Sequence, residues 1–188
     1  FSQDKKFKPS KINTKQYQKI IKENNLNKLI IDLNKKSIIS VDTETSSLDP
    51  QVAELIGISL SYAENISYYI PVGHKNIKGL NKDLVVKKLK PILEDPRIKK
   101  VGQNIKYDFI ILKKYGVELN PIEDTMLLSY TLDAGNNRHN MDTLSELHLN
   151  HKTISYKDLV GSGKKQLKFS EVDIDKAVSY THLTLPTI

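Results

Sequence analysis

Apolar residues follow two different periods along the chain. Residues 37–41 form a short β-branched run, which predicts a buried strand that ends at Asp42. Residues 54–62 alternate and predict a second strand, and residues 67–72 predict a third. Because Asn65 lies in the short connection between these two segments, we predict that they form an antiparallel hairpin.

Helical spacing predicts helices over residues 13–21, around 29–33, and over 82–93, 105–115, 124–132, 141–149 and 172–180. Asn13 followed by Gln16 matches a capping box that would open the first helix. A short predicted strand at 99–102 precedes the helix at 105–115, and Gly116 follows that helix in a usual stop position. Three strands, a strand–helix unit and then helices predict an α/β domain with a mixed sheet.

Length and composition limit the classes of protein. A chain of 188 residues that is 38% hydrophobic can bury one core, so we expect one domain over residues 13–180. Residues 1–12 are polar and lysine-rich and predict a flexible lead-in. The sequence has no apolar run long enough to span a bilayer and no signal-peptide pattern at its start. Because it lacks cysteine, a metal would need carboxylates or histidines.

The formal net charge of +7 has two interpretations. A basic surface favours nucleic acid, because phosphate contacts release counterions. However, the chain is rich in Lys, Asn and Ile, and only Arg97 and Arg138 among its 29 basic residues are arginines. A general compositional bias would give the same charge, so the charge alone does not decide.

Asp42 and Glu44 stand two residues apart on an extended segment, so both carboxylates point to the same side. Two like charges that are buried together are costly unless a cation neutralises them. A strand that ends in such a pair is therefore a candidate site for a divalent metal. The start of a surface turn is the alternative interpretation of the same residues.

A second polar cluster follows the predicted strand at 99–102. Asn104 and Asp108 are four residues apart, which stacks them on one helical face, and Asn104 is also placed to cap the helix. An ordinary cap followed by an acid in the first turn would give the same pattern. Because both clusters follow the carboxyl ends of strands, where α/β sheets bind ligands, together they favour a functional site.

Two further patterns are weaker candidates. His148 and His151 are three residues apart on a predicted helix, but no acidic residue adjoins them, so a surface pair is the better interpretation. Residues 161–165 contain two glycines and two lysines but lack the spacer and the preceding strand of a phosphate-binding loop.

The segments around both acidic clusters resemble the exonuclease motifs of family A DNA polymerases. The similarity is carried by Val-Asp-Thr-Glu-Thr at 41–45 and by Val-Gly-Gln-Asn-Ile-Lys-Tyr-Asp at 101–108. It continues through residues 124–127, 138–144, 151–152, 161–164 and 166–169 and ends at Tyr180. The resemblance implies an RNase H-like mixed sheet flanked by helices.

The same resemblance implies removal of the 3′-terminal nucleotide from single-stranded or frayed DNA with two Mg²⁺ or Mn²⁺ ions. Asp42 resembles the carboxylate that bridges both metals, Glu44 a ligand of the water-activating metal, and Asp108 a ligand of the second metal. Tyr180 resembles the tyrosine that orients the attacking water in the DEDDy subclass, and Leu48 resembles the wedge against the terminal base. The other positions that would hold the last nucleotides are Thr45, Gln103, Asn104, Tyr107 and Arg138.

The end of the chain departs from the family's third motif, Tyr-x-x-x-Asp. Thr184 stands four residues after Tyr180, where the family has its fourth metal-binding carboxylate, and residues 181–188 contain no acid. Either this tail is foreign to the domain, which we favour because the match stops abruptly, or the domain has lost function. In both cases we expect weak binding of the water-activating metal and weak cleavage.

The sequence therefore predicts a proofreading 3′→5′ exonuclease. The alternatives are an RNase D-like exonuclease that acts on RNA and a catalytically silent module that binds nucleic acid. We expect a monomer whose partners are a DNA 3′ end and the polymerase domain of the same polypeptide, with no membrane involved. The expected location is the cytoplasm of a bacterium, at the nucleoid, or an organelle.

Overall fold

The computed structural model describes residues 16–180, except the side chain of Lys164. Its strands are β1 (Tyr17–Lys19), β2 (Ile38–Thr45), β3 (Leu55–Ala63), β4 (Ile66–Pro71), β5 (Lys99–Gly102) and β6 (Ile122–Asp124). These strands form one sheet in the order β1-β4-β3-β2-β5-β6. β3 pairs antiparallel with both β2 and β4, and β1 is parallel to β4. On the other side, β5 is parallel to β2, and β6 is parallel to β5. The predicted mixed α/β sheet is confirmed.

The helices are α1 (Glu23–Leu33), α2 (Lys82–Leu93), α3 (Lys106–Lys114), α4 (Thr125–Leu132), α5 (Met141–Leu149), α6 (Tyr156–Val160) and α7 (Ile174–Tyr180). Short 3₁₀ turns cover Gly163–Lys165 and Phe169–Glu171. The predicted hairpin of β3 and β4 is confirmed, and Asn65 takes the left-handed conformation in its turn. Within residues 16–180, no helix has both the length and the apolar character that crossing a bilayer requires.

The prediction of a helix over residues 13–21 is wrong where the structure describes it, because Tyr17–Lys19 form β1. This strand pairs with β4, and the Ile20 amide donates to the Tyr69 carbonyl at 2.8 Å. The edge of β4 thus offers hydrogen bonds that outweigh a weak local helix signal. Residues 13–15, including the expected cap, lie outside the described residues. β6 has no counterpart among the predicted strands, because its three residues show no apolar alternation.

Each face of the sheet carries its own apolar cluster. The larger core packs α1, α2 and α3 against one face, to which β2 contributes Ile39 and Val41. The smaller cluster lies on the opposite face, where Tyr69 of β4 packs with Phe169 and with residues of α6 and α7. Because successive residues of a strand point to opposite faces, Asp42 and Glu44 belong to the face of the smaller cluster.

The buried amine of Lys100 ties the end of α2 to β5 and to the segment before β6. Lys100 is fully buried, and its Nζ donates to the backbone carbonyls of Asp95 at 2.8 Å, Ile98 at 2.6 Å and Asn120. These dipoles replace the water that a buried ammonium loses. The network therefore fixes the strand whose last residue, Gly102, leads into the candidate active site.

Candidate active site

β2 presents the acidic pair on the sheet face that α6 and α7 cover. In the strand register, Asp42 lies opposite Ser59 and Glu44 lies opposite Gly57 of β3. The ladder becomes irregular immediately after Glu44, at the end of β2. The two carboxylates thus stand at the carboxyl end of a central strand, and the alternative of a simple surface turn at Asp42 does not apply.

The electrostatics of the pair follow from burial and, at Glu44, from the charges of the neighbouring carboxylates. Burial raises the pKa of Asp42 to about 6, against the opposing effect of a hydrogen bond from the Thr43 backbone. Burial also raises the pKa of Glu44 well above its usual value, and the negative charges of Asp42 and Asp108 raise it further. Three carboxylates therefore share one poorly hydrated region.

Asp108 joins this region from the first turn of α3. Its side chain is buried, and its Oδ1 accepts hydrogen bonds from the Thr43 amide at 2.8 Å and the Thr43 hydroxyl at 2.6 Å. Burial and the charge of Asp42 raise the pKa of Asp108, whereas the bonds from Thr43 lower it. Thr43 therefore links α3 to the strand that carries Asp42 and Glu44.

The carboxylate oxygens of Asp42, Glu44 and Asp108 suit a hard divalent cation, although in this structure they do not surround a common position. Within residues 16–180, no three Asp, Glu or His side chains are arranged closely enough to hold a metal ion. One oxygen of Asp108 is directed to Thr43 instead. Carboxylate oxygens are nevertheless the ligands that Mg²⁺ and Mn²⁺ prefer, and a cation would remove the repulsion that raises these pKa values.

Tyr180 reaches the acidic region from the end of α7. Its ring packs against Phe169 and Tyr156, with centroid distances of 6.2 and 6.4 Å. Burial raises the pKa of the Tyr180 phenol, and the charges of Glu44 and Asp42 raise it further. The phenol therefore stays protonated at neutral pH, and it lies close enough to Glu44 and Asp42 to interact with their charges.

An open cleft of about 720 Å³ brings most of the predicted site residues together. Its lining includes nine of the ten, namely Asp42, Glu44, Thr45, Leu48, Gln103, Asn104, Tyr107, Asp108 and Tyr180. The hydroxyls of Thr45 and Tyr107 lie 2.6 Å apart, and both hydrogen bond to the Ser47 carbonyl. Leu48 is 96% exposed, so an apolar side chain projects into solvent at the cleft edge.

Asn104 does not cap α3 and does not share a helical face with Asp108, so that prediction is wrong. Asn104 has φ 54°, a left-handed conformation, and the residue before the helix is Ile105, without a side-chain cap. The Asn104 amide donates to the Asp124 carboxylate at 3.0 Å, and Asp124 also caps α4. Asparagine tolerates this conformation better than most residues, and the turn leaves Asn104 outside the helix.

Gln103 lies at the side of the cleft nearest α4 and α5, and Arg138 lies in the segment between these two helices. The Gln103 amide nitrogen donates to the His139 carbonyl at 2.7 Å, and the Thr125 hydroxyl donates to its oxygen at 2.5 Å. Gln103 therefore anchors the segment that carries Arg138. Arg138 itself is exposed and is not among the described residues that line the cleft.

Tyr156 is a lining residue that the sequence reasoning missed. It opens α6 and packs its ring against Tyr180, and burial, followed by the charge of Glu44, raises the pKa of its phenol. A single tyrosine at the start of a five-residue helix gives no periodic signal.

The discounted pair His148 and His151 stays without support as a metal site, because His151 lies beyond the end of α5.

Solved nuclease structures share this fold. Escherichia coli RNase D superimposes with a TM-score of 0.65 at 20% identity, covering 90% of this chain and 42% of that one. Trypanosoma brucei RNase D superimposes with a TM-score of 0.68 at 15% identity, covering 92% of this chain and 64% of that one. Brucella melitensis NrnC with bound Mg²⁺ superimposes with a TM-score of 0.60 at 17% identity, covering 82% of this chain and 70% of that one. These likenesses show the fold, which is the predicted RNase H-like fold.

Sequence comparison then identifies the family. A family model described as 3′-5′ exonuclease matches residues 17–182. DNA polymerase I of Rhizobium leguminosarum is 43% identical over 178 residues, covering 82% of this chain and 17% of that protein. DNA polymerase I of Pseudomonas aeruginosa is 40% identical over 154 residues, covering 79% of this chain and 17% of that protein. The chain belongs to the 3′-5′ exonuclease family, and it spans about a sixth of the length of these relatives.

Proposed function

We propose that this chain is the proofreading domain of a DNA polymerase and removes 3′-terminal nucleotides from DNA by metal-dependent hydrolysis. One observation carries the proposal: Asp42, Glu44 and Asp108 lie in one cleft with Tyr180, and burial raises the pKa of all three carboxyls, with neighbouring negative charges adding to the rise at Glu44 and Asp108. Such a cluster is costly unless cations complete it, which makes it a site of function rather than of stability.

Asp42, Glu44 and Asp108 are the residues that would hold the metal, for which two Mg²⁺ or Mn²⁺ ions are proposed. When bound, two such ions activate a water molecule and stabilise the leaving 3′-oxygen. Carboxylates provide the hard oxygen donors that these ions require. The Mg²⁺ in the NrnC structure supports a divalent cation in this fold.

Tyr180 is proposed to orient the attacking water through its hydroxyl. A phenol whose pKa is raised stays protonated, so it holds the water by a hydrogen bond and does not itself act as the base. Its packing against Phe169 and Tyr156 fixes the position of the hydroxyl. Tyr180 therefore supplies orientation, and the carboxylates supply the electrostatic part of the reaction.

The cleft walls suit a single nucleotide strand of any sequence. The apolar Leu48 and the rings of Tyr107 and Tyr156 offer surfaces on which bases can stack without reading their edges. Thr45, Asn104 and Gln103 are proposed to position the last nucleotides, and the exposed Arg138 is proposed to contact a phosphate beside the cleft. Such contacts position the strand and carry no sequence information.

The chain as given is proposed to be an impaired exonuclease. The Tyr-x-x-x-Asp motif requires an acid four residues after Tyr180, and Thr184 stands there. Thr184 lies outside the described residues. Three carboxylates supply one negatively charged oxygen ligand fewer than the four of the family's motif, so we expect weak metal binding and slow turnover.

DNA is favoured over RNA as the substrate. The DNA polymerases of Rhizobium leguminosarum and Pseudomonas aeruginosa are 43% and 40% identical to this chain, whereas the RNase D structures of Escherichia coli and Trypanosoma brucei are 20% and 15% identical. We expect Mg²⁺-dependent release of nucleoside monophosphates from single-stranded DNA, with slower release from an RNA strand of the same sequence. Faster release from RNA would favour an RNase D-like enzyme, and nucleic-acid binding without any release would favour a silent binding module.

The rest of a polymerase polypeptide is the proposed partner, and α4 is the surface that supports this. None of the residues of α4 is buried, and Leu127, Tyr130 and Leu132 are exposed by 59%, 57% and 85%. A groove of about 340 Å³ lies between α4 and α5. Exposed apolar surface of this kind marks an interaction site, and the relatives contain several times more chain than this domain.

Cysteine labelling would test that surface, because the chain contains no cysteine. We expect maleimide to modify Leu132→Cys more slowly in the longer polymerase polypeptide than in this chain. Ile31→Cys on α1, which replaces another exposed apolar residue, should be modified equally fast in both. Equal rates at Leu132→Cys would contradict the proposal.

Without the longer polypeptide we expect a monomer, and the bacterial relatives favour the bacterial cytoplasm as its location.

A further inference from the structure

A buried tyrosine stands beside the acidic pair on the same face of the sheet. Asp42 lies opposite Ser59, and Ser59 lies opposite Tyr69, so the three residues form one cross-strand row. In the next row, Glu44 lies opposite Gly57. A Cβ atom at Gly57 would collide with the Tyr69 hydroxyl, so the missing side chain leaves room for this ring beside Glu44.

The surroundings of Tyr69 place its hydroxyl near the two carboxylates. Tyr69 is 1% exposed, and burial followed by the charges of Glu44 and Asp42 raises the pKa of its phenol. The Tyr69 hydroxyl occupies the space over Gly57, in the row of Glu44, so it meets this acidic region as a polar wall. An apolar residue of the same size would offer the carboxylates no dipole at all.

His74 holds this tyrosine from the other side. Its Nε2 lies 2.7 Å from the Tyr69 hydroxyl, in hydrogen-bonding distance, and the two rings meet edge to face with centroids 5.7 Å apart. The His74 ring also contacts Phe169 at a centroid distance of 5.7 Å, and Phe169 contacts Tyr180 at 6.2 Å. His74 is thus joined through one neighbour to the acidic strands and through another to the tyrosine of α7.

We propose that Tyr69 and His74 are positioning residues of the exonuclease site. Their hydrogen bond sets the Tyr69 hydroxyl beside Glu44, and the contact of His74 with Phe169 sets the Tyr180 ring relative to the carboxylates. This inference rests on the proposed function and adds a residue pair to it. Neither residue touches the reacting atoms, so their effect passes through Glu44 and Tyr180.

Tyr69→Phe tests the pair, and Tyr68→Phe is its matched control. Tyr68 is the adjacent residue of β4, and its hydroxyl bonds to the Tyr62 hydroxyl at 3.0 Å beside the larger core. Each substitution removes one tyrosine hydroxyl from the same strand, but only Tyr69 stands beside the acidic pair. We expect Tyr69→Phe to weaken Mn²⁺ binding by about 10-fold to 100-fold, the range known for residues that orient metal ligands. Tyr68→Phe should leave Mn²⁺ binding unchanged.

Two further readouts separate positioning from general loss of structure. The affinity for single-stranded DNA, measured by fluorescence anisotropy in EDTA, should be the same for both variants. Their circular dichroism spectra, which report the fold, should also be the same. His74→Ala should weaken Mn²⁺ binding. His74→Gln, which keeps a hydrogen-bonding group, should recover most of that loss. Equal Mn²⁺ affinity in Tyr69→Phe, Tyr68→Phe and the parent would overturn the inference but leave the proposed function intact. If the parent itself bound no Mn²⁺, both would fall.

Discussion

Replacing Asp42 by Asn should stabilise the metal-free protein at neutral pH. The pKa of Asp42 in the folded state is raised from 3.8 to about 6. A raised carboxyl pKa contributes stability that is fully present below the unfolded value and is lost as the pH rises through the folded value. From the size of this shift, the charged carboxylate costs the folded protein about 3 kcal/mol above that range. Asn cannot ionise, so the variant avoids this cost and also relieves the repulsion on Glu44.

The assay is urea unfolding in EDTA at about pH 7 and about pH 4, with and without Mg²⁺. In EDTA the variant should exceed the parent by up to about 3 kcal/mol near pH 7, and the difference should close near pH 4. Mg²⁺ at about 100 times its Kd would stabilise the parent by about 2.7 kcal/mol, and the variant by much less. Asp83→Asn, at an exposed position of α2, is the control and should change neither quantity by more than about 1 kcal/mol. An Asp42→Asn variant that is less stable near pH 7, or that keeps the full effect of Mg²⁺, would refute this reasoning.

Three further substitutions have defined outcomes. Thr43→Val removes the hydroxyl that donates to buried Asp108 at 2.6 Å, so the free energy of unfolding in urea should fall by about 1.5–3 kcal/mol. An unchanged midpoint of the urea transition would contradict that hydrogen bond. Lys100→Met leaves buried carbonyls without their donor and should lose about 3 kcal/mol, whereas Lys99→Met, which breaks an exposed ion pair on the same strand, should lose at most about 1 kcal/mol. Leu48→Ala should leave stability within about 0.5 kcal/mol but slow the shortening of frayed duplex ends relative to single strands, measured on gels. Equal slowing on both substrates would argue against a wedge.

Local pattern was sufficient where the chain forms its own structure. α2 and α5 begin and end at the predicted residues, because apolar spacing and side-chain caps at Asn81 and Asn140 act within the segment itself. β5 also has its predicted bounds, although Val101 is the one large apolar residue among its four. β1 was predicted as a helix, since only the distant edge of β4 makes it a strand.

The site was predictable to the extent that its residues sit in continuous motifs. Asp42, Glu44 and Asp108 belong to two short segments, and the sheet brings them into one cleft. The conformation of Asn104 was not predictable, because its bond to Asp124 depends on β6, whose three residues give no signal. Tyr156 and the Tyr69–His74 pair were missed for the same reason: their roles arise from packing between distant segments.

The most direct test of the account is the Mg²⁺-dependent shortening of single-stranded DNA that is labelled at its 5′ end. We expect this chain to give a slow ladder of products shortened from the 3′ end, which disappears in EDTA and in Asp42→Asn. Thr184→Asp, which restores an acid four residues after Tyr180, should shorten the strand faster. Shortening that persists in Asp42→Asn or without divalent metal would contradict the account, as would a rate that Thr184→Asp leaves unchanged.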